Sequence, residues 1–188
     1  MATTVPDSAL VQRAKEGDQQ AFGDLVDRYK DPSLSLAVSI LKDTALAQDV
    51  LQDAFMRVYH SIGGFREEAA FSSWLYRIVV NTSYNALKSA RYLKKTETLQ
   101  PGQVYGSTQP KPMKEEDQQK YVQLALDRLS ADEALVLRLF YLHELQIPEI
   151  AHITRFGKPK IKVCLHRGRK NMMKKLEQLV GKEVKDLL

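Results

Sequence analysis

The pattern of hydrophobic and polar positions between residues 71 and 91 predicts one long amphipathic helix. Its candidate buried positions recur at three- and four-residue spacings, as on one helical face. They are Phe71, Trp74, Leu75, Ile78, Val79 and Thr82. The opposite positions carry cations and amides, and no acidic residue lies between Glu68 and Glu97. Such a helix suits a nucleic-acid surface, and an ordinary core helix with a solvated basic face explains the pattern equally well.

The same spacing predicts helices through most of the chain. Asp18 stands where it can cap the start of one helix, and either Asp43 or Thr44 can start the next. Pro32 is expected to bend or restart the second helix, because the residue before a proline resists the helical region. Ser130, with Glu133 three residues later, has the spacing of a capping box. No strand-like alternation of useful length occurs, so the predicted fold class is all-α.

The chain changes character between residues 95 and 118. This stretch holds Pro101, Gly102, Gly106, Pro110 and Pro112 and has little apolar periodicity. Its composition is typical of a linker that lets two modules move independently. We therefore predict two small helical domains joined by a flexible linker. The first domain spans residues 1–94, the linker 95–118, and the second domain 119–188.

The end of the second domain has the pattern of a helix-turn-helix. A short helix starting near Pro148 is followed by the tight turn 155–157 and a longer helix running to about Leu179. The stretch from Arg155 to Lys175 contains many Lys and Arg residues and no acidic one. In a helix-turn-helix the second helix enters the DNA major groove, where its cations neutralise phosphates or reach base edges. A basic hairpin with solvated charges, or a helix that binds acidic protein or membrane, stays open as an alternative.

Composition and charge narrow the class of protein. A hydrophobic fraction of 44% allows a packed core, and the net charge of +5 is modest. Acidic residues dominate between Glu16 and Glu68 and basic residues dominate later, which suggests a polyanion and a second, different partner. No run of eighteen apolar residues and no signal-like N-terminus occurs, so we expect a cytoplasmic protein that is not inserted in a membrane.

The sequence offers little chemistry for catalysis. The four histidines are scattered without metal-ligand spacing, and no nucleophile motif or phosphate loop is present. The single cysteine, Cys164, excludes an internal disulfide and a multi-cysteine metal site. Its position on a lysine-rich helix could lower its pKa, although a small, partly buried side chain is the simpler interpretation. We therefore expect no enzyme, no cofactor, no metal and no small-molecule substrate.

Three stretches in order resemble the motifs of one family. AQDVLQDAFMRVY, residues 47–59, resembles A-E-D-L-V-Q-E-x-F. FREEAAFSSWLYRIVVNTSYNALK, residues 65–88, resembles FRxxxSFxxWLYRIxxNxxxDxLR, and EIAHIT…IKVCLHRGRKNM, beginning at Glu149, resembles EIAxxL…VKSRLHRARKxL. The chain is therefore similar to bacterial RNA polymerase sigma factors of the extracytoplasmic-function group. The likeness covers nearly all of the chain outside the linker.

This resemblance implies a sigma factor that binds core RNA polymerase and directs promoter-specific transcription initiation. It also implies promoter DNA and an anti-sigma factor as partners, with all chemistry left to the polymerase. Core-polymerase binding is expected of Asp49, Gln52, Asp53 and Arg57. Binding of the minus-ten element is expected of Phe65, Arg66, Ser72, Arg77, Asn81 and Lys88. Binding of the minus-thirty-five element is expected of Lys158, Lys160, Lys162, Val163, His166, Arg167, Arg169 and Lys170.

The chain departs from the family pattern in the helix-turn-helix. Gly157 replaces a capping serine, Pro159 enters the first turn, and Val163-Cys164 replaces a common Ser-Arg pair. Gln48 stands where Glu is usual. These changes predict an unusual promoter sequence rather than a loss of function. Two other functions remain open: a stand-alone helix-turn-helix transcription regulator, and an adaptor that binds only protein.

Overall fold

The computed structural model describes residues 5–94 and 115–180, with side chains described for 5–89 and 120–180. Within these ranges the chain forms helices and no strand, which confirms the all-α prediction. Contacts divide it into two compact units, Met1–Lys88 with Ala151–Arg155 and Ser89–Ile150 with Phe156–Leu188. Most of the predicted linker, residues 95–114, lies outside the described residues, so the predicted domain boundaries remain a prediction. No described helix is both long and apolar enough to cross a membrane.

Four helices and one 3-10 turn follow one another from residue 7 to residue 94. They are α1 (Asp7–Lys15), α2 (Gln19–Leu41), α3 (Thr44–Ser61), the 3-10 turn Ile62–Gly64 and α4 (Phe71–Lys94). Two of the starts have the predicted caps. The Asp18 carboxylate accepts the backbone N–H groups of Gln20 and Ala21, and Asp43 accepts that of Leu46 at 3.1 Å. These caps satisfy N–H groups that have no partner inside the helix.

Pro32 does not interrupt α2, and the predicted restart there is wrong. A proline inside a helix removes one hydrogen bond and costs about 3 kcal/mol. Apolar side chains on both sides of it are buried, including Leu25 and Leu36 at 0% exposure and Ile40 at 1%. Because burial of one such side chain contributes about 1.5–3 kcal/mol, packing of a continuous α2 offsets the cost of the proline.

Asp7 joins α1 to α2. Its carboxylate accepts hydrogen bonds from the Arg28 guanidinium and the Tyr29 hydroxyl, and Arg28 also donates to the Val5 carbonyl at 2.8 Å. Burial, together with the Asp7 carboxylate, raises the pKa of Tyr29 well above its usual value. The phenol therefore stays protonated and keeps donating to Asp7 at any pH at which the protein works.

The remaining helices follow one another from residue 115 to residue 180. They are α5 (Glu115–Asp127), α6 (Ala131–Leu137) with a π-helical turn Arg138–Leu142 directly after it, α7 (Ile147–Thr154) and α8 (Lys158–Val180). Helix α5 begins inside the stretch predicted as linker, since the Glu- and Gln-rich residues 115–119 favour a helix. Contacts assign Ala151–Arg155 to the first unit, so α7 is divided between the two. Along the chain, α7, a turn and α8 follow the predicted helix-turn-helix order.

Two features explain how α6 and α8 pack. The Ser130 side chain makes no capping hydrogen bond, so the predicted capping box is wrong; the Glu133 carboxylate instead accepts the Asn171 amide at 3.0 Å. A contact with α8 therefore replaces the local one. At Gly168 the two helices approach so closely that an added Cβ would lie 3.0 Å from Leu137 Cδ1. Glycine makes this approach possible.

Candidate functional site

The outer face of α3 combines acidic residues with an exposed methionine. All four predicted polymerase-binding residues are exposed, and Asp49, Gln52 and Asp53 share a face at spacings of three and four. The opposite face, with Ala47, Val50, Ala54, Phe55 and Val58, is buried. Met56 is 50% exposed and lies between Gln52 and Asp49 on the helical wheel. Arg57 lies at the edge of this face. Sequence reasoning missed Met56, although its spacing of seven from Asp49 could have identified it.

Phe65 was expected near DNA, but the structure places its ring in the core. The ring is 9% exposed and stacks on Trp74 with a centroid distance of 4.7 Å and an interplanar angle of 23°. Phe71 packs edge-on against it at 6.1 Å. The part of the ring that stays open lines the cavity described below, so a base could contact Phe65 only from that cavity. Trp74, expected in the core, is instead half-buried at the edge of the cluster.

The loop between the 3-10 turn and α4 is attached to α1. Lys15 Nζ contacts Glu67 Oε1 at 2.5 Å and lies 5.6 Å from the Phe65 ring centroid. Glu67 has a φ of 59°, in the left-handed region that few residues other than glycine adopt. Such conformations persist where surrounding contacts maintain them, often at functional sites. The attachment leaves the neighbouring Arg66 exposed. No local sequence signal predicted the Lys15–Glu67 pair.

A cavity of about 290 Å³ lies between α1 and this loop. It is lined by Asp7, Ser8, Val11, Phe65, Glu67, Ala69, Ala70 and Phe71. The wall is mostly apolar, and its two carboxylates already have cationic partners, Arg28 for Asp7 and Lys15 for Glu67. A carboxylate can accept several hydrogen bonds, so both can still accept a further N–H group. The cavity therefore has the chemistry to accept an uncharged group that carries N–H donors.

The predicted DNA-binding residues of α4 fall on two sides of the helix. Arg77, Asn81 and Lys88 share one face, at spacings of four and seven, and all three are at least partly exposed. Ser72 lies in the first turn on a different side, next to the loop that carries Arg66. The structure thus groups Arg77, Asn81 and Lys88 along the helix and leaves Ser72 at its N-terminal end.

In α8 all eight predicted DNA-binding side chains are exposed. They cover one side of the helix, opposite the buried residues Ile161, Cys164, Leu165 and Gly168. Val163 is 46% exposed in the middle of this basic surface. The turn before α8 places Arg155 at a φ of 59°, and the Ile161 N–H donates to the Gly157 carbonyl at 3.1 Å. The turn thereby brings the first residues of α8 to the surface.

Two of these cations have partners within the protein. Lys160 Nζ lies 2.7 Å from Asp132 Oδ2 and 3.5 Å from the centroid of the Phe156 ring. Arg169 Nη1 donates to the Tyr141 hydroxyl at 3.2 Å. For Lys158, Lys162, Arg167 and Lys170 the described residues provide no ion pair. The exposed cations of α8 therefore differ in how available they are to a binding partner.

The Cys164 side chain is buried on α8. Cys164 is 8% exposed, and burial, with a smaller effect of Asp132, raises the pKa of its thiol. The structure thus favours the interpretation of Cys164 as a small buried side chain. Among the residues whose placement is described, no three His, Cys, Asp or Glu side chains are grouped so that they could hold a metal ion.

Comparisons with known proteins cover both parts of the chain. Residues 25–92 match the family model for sigma-70 region 2. Over 191 aligned residues the chain is 29% identical to the ECF RNA polymerase sigma factor SigW of Bacillus subtilis, with 90% of this chain and 96% of SigW covered. Over 87 residues it is 45% identical to the RNA polymerase sigma-H factor of Pseudomonas aeruginosa. That second alignment covers 46% of this chain and 45% of the relative, less than half of its length.

Two solved structures have a similar fold. CnrH, solved in complex with the cytosolic domain of CnrY, has a TM-score of 0.61 at 22% identity and covers 91% of this chain and 97% of its own. The sigma factor RpoE of Bartonella quintana, solved with the anti-sigma factor NepR, has a TM-score of 0.66 at 19% identity. That match covers 83% of this chain and 96% of RpoE. At these identities the similarity supports the fold alone.

The family match lies in the first unit, outside the helix-turn-helix. A stand-alone helix-turn-helix regulator needs no such region, so the comparisons argue against that alternative. The alignment with SigW continues into the second unit, where the third motif is found. Region 2, the alignment along SigW and three motifs in the family's order make the chain similar to bacterial RNA polymerase sigma factors of the extracytoplasmic-function group.

Proposed function

We propose that the protein is a sigma factor that docks on core RNA polymerase through the outer face of α3 and reads two promoter elements, one with each unit. The observation that carries the proposal is that one chain combines an exposed acidic face on α3 with exposed cationic faces on α4 and α8. A protein that only binds DNA has no use for the acidic face. The chain acts in the cytoplasm, needs no cofactor and leaves catalysis to the polymerase.

On α3, Asp49 and Asp53 favour a basic partner surface. Complementary charge accelerates and orients such an encounter more than it determines affinity. The exposed Met56 side chain lies next to Asp49, between it and Gln52, and supplies apolar area to the contact, since protein interfaces are enriched in methionine. We assign Met56 to the same contact as Gln52 and Arg57.

The first unit is suited to the melted minus-ten element. Arg77, Asn81 and Lys88 form a cationic and amide face along which a phosphate backbone can lie. The cavity next to the loop can receive a base taken out of the stack, and the Glu67 carboxylate on its wall can accept the exocyclic amine of that base. Arg66 and Ser72 stand at the entrance, where they would contact the adjoining phosphates.

The second unit is suited to the minus-thirty-five element as a duplex. Val163, His166 and Arg167 occupy the exposed side of the first turns of α8, which reach base edges in helix-turn-helix proteins. Lys162, exposed beside them, would neutralise a phosphate. Arg167 is the best candidate for a bidentate contact with guanine, worth roughly 1–3 kcal/mol of discrimination. Lys158, Arg169 and Lys170 lie toward the two sides of this surface and would neutralise phosphates.

An anti-sigma factor is the remaining proposed partner. RpoE of Bartonella quintana, which has a similar fold, was solved with the anti-sigma factor NepR. In this protein the second unit has an apolar groove of about 410 Å³. It is lined by Val122, Leu126, Leu137, Tyr141, Leu142, Arg169, Met172, Met173 and Leu176. An amphipathic helix of the anti-sigma factor could cover this groove, since apolar grooves rich in methionine bind such helices.

Run-off transcription with bacterial core polymerase tests the function. Templates from a random promoter library should give transcripts with defined starts only when the protein is present. The variant Asp49→Lys/Asp53→Lys should lose core binding and transcription while it still binds duplex DNA. The variant Asp24→Lys/Glu177→Lys makes the same change in net charge at exposed positions outside α3 and should stay active.

Two outcomes would overturn the proposal. If core polymerase neither binds the protein nor gains promoter specificity, the chain is not a sigma factor. If both charge-reversal variants lose core binding equally, net charge rather than the α3 face carries the interaction. An adaptor that binds only protein would bind core polymerase and show no salt-dependent affinity for DNA.

A further inference from the structure

Lys160 differs from the other cations of the α8 surface because its ammonium group already has two partners. We propose that Asp132 and Phe156 keep Lys160 out of DNA contact and that Lys160 positions the start of α8 instead. This inference rests on the proposed binding of DNA by α8. It replaces the assignment of Lys160 as a residue that binds the minus-thirty-five element.

The contacts join three elements of the second unit. Lys160 lies in the first turn of α8, Asp132 in the first turn of α6, and Phe156 in the turn that precedes α8. The ammonium lies 2.7 Å from the carboxylate and 3.5 Å from the ring centroid. Either contact alone would be weak, because the Lys160 and Asp132 side chains are 48% and 37% exposed. Together, the Asp132 carboxylate pairs with the charge of the ammonium and the Phe156 ring covers one side of it.

The turn before α8 lacks the side-chain cap with which many helices begin. Helices commonly begin with a side chain that accepts a backbone N–H, often that of serine. Here Gly157 and Pro159 flank the first residue of α8, and neither has a side-chain acceptor. The Lys160 contacts with Asp132 and Phe156 instead attach the turn to α6. We infer that they replace the missing cap as the means of orienting the first turn.

The same contacts change how much charge α8 offers to DNA. A lysine that neutralises a phosphate releases about one counterion, which makes DNA affinity depend on salt. To contact Lys160, a phosphate would have to displace the Asp132 carboxylate. One anion would then replace another, so this contact would add little to the affinity for DNA. Lys162 is exposed two residues later and has no ion pair among the described residues, so it provides a matched control on the same helix.

The test measures DNA affinity of the full chain by fluorescence anisotropy over a salt series, with a mixed-sequence DNA duplex as the probe. Lys162→Gln should reduce the slope of log affinity against log salt by about one. Lys160→Gln should leave the slope unchanged. Asp132→Asn should increase it by about one because Lys160 is then free, and Lys160→Gln/Asp132→Asn should return it to the original value.

Unfolding provides a second readout, independent of DNA. Lys160→Gln and Asp132→Asn should lower the melting temperature less in combination than the sum of their separate effects, because both remove one interaction. Lys160→Arg, which can keep the ion pair and the ring contact, should melt like the original protein. Phe156→Leu leaves the ion pair in place, and should weaken this coupling and increase the salt slope in part.

The outcomes separate this inference from the proposed function. If Lys160→Gln reduces the salt slope as much as Lys162→Gln does, Lys160 contacts phosphate and the inference is wrong. Additive effects on the melting temperature would also overturn it, since no coupled contact would exist. If the protein shows no salt-dependent DNA affinity at all, the proposed DNA binding fails and this inference fails with it.

Discussion

Arg138 and Asp127 form an ion pair in which the two side chains differ greatly in exposure, 2% for the guanidinium and 46% for the carboxylate. Arg138 Nη2 donates to Asp127 Oδ1 at 2.9 Å, and Nη1 donates to Gln123 Oε1 at 2.9 Å. Burial lowers the pKa of Arg138, and the Asp127 charge opposes this effect. Asp127 and Gln123 thus connect α5 to a charge buried beneath it.

We predict that Asp127→Ala destabilises the second unit more than Arg138→Met does. Removing the carboxylate leaves a buried cation without its counter-charge, whereas methionine removes the charge and fills much of the space. Breaking a fully buried pair costs roughly 3–5 kcal/mol, and we expect about 2 kcal/mol because Asp127 is half exposed. Urea unfolding followed by far-ultraviolet circular dichroism measures the difference.

Trp74 offers a control for this experiment. It is the only tryptophan and lies in the first unit, so its fluorescence should change little with either substitution. A larger cost for Arg138→Met than for Asp127→Ala would show that the guanidinium stabilises the unit by packing rather than by charge pairing.

The two glycines within helices α2 and α8 should respond oppositely to alanine. At Gly23 an added Cβ meets nothing within 4 Å, so Gly23→Ala should stabilise the protein by about 0.5–1 kcal/mol through helix propensity. At Gly168 the Cβ would meet Leu137 Cδ1 at 3.0 Å, and Leu137 is only 4% exposed. Overpacking of a core costs about 1–3 kcal/mol, so Gly168→Ala should give no gain or a loss. Thermal unfolding of both variants measures the two changes in stability. An equal gain at both sites would contradict the close approach of α6 and α8.

Acidification should weaken the second unit through His143. Burial, and to a lesser extent the charge of Arg138, lowers the pKa of His143. Its folded pKa lies below its unfolded value of about 6.5, so the unfolded chain binds the proton first as pH falls. Stability is therefore complete above about pH 7 and decreases as the pH falls through and below about 6.5, by at most about 1.4 kcal/mol per pH unit. Unfolding measured across this range should show the decrease.

His143→Gln should flatten that pH profile. The matched control is His60→Gln, because His60 is exposed on α3 in the first unit. A profile that keeps its slope in His143→Gln would assign the pH dependence to another group.

Local chemistry explains which parts of the fold could be predicted. The caps at Asp18 and Asp43 need only neighbouring residues, and the periodicity of α4 identifies its buried side directly. Pro32 and Ser130 were misjudged because their outcome depends on packing between helices. Phe65 was misjudged for the same reason, since its ring stacks on Trp74 in the next helix.

The candidate surfaces also have some features that follow from local sequence and others that depend on packing. The exposed faces of α3 and α8 follow from helical spacing, and every residue predicted on them is exposed. The contacts that modify these faces are not local. Lys15 and Glu67 are 52 residues apart in the chain, and the partner of Lys160 lies on another helix. No spacing rule connects such residues, so only the structure could place them together.

Val163 should read a thymine in the minus-thirty-five element. It is 46% exposed among cations on the first turns of α8, where an aliphatic side chain can contact the C5-methyl group of thymine. Replacing each thymine of the element in turn by uracil removes only that methyl. At one position this should weaken binding by about 0.8 kcal/mol, close to fourfold, because one buried CH₂-sized group is lost.

The variant Val163→Ser isolates the contact. Serine keeps a small side chain and restores the residue that the family more often has there, but it lacks the methyl groups that would pack against thymine. Its affinity should be lower for the thymine duplex and equal for the thymine and uracil duplexes. Lys162→Gln should weaken both duplexes alike, because a lost phosphate contact is independent of the base methyl. If uracil at no position weakens binding of the original protein, Val163 does not face a thymine methyl and the placement of α8 in the groove must be revised.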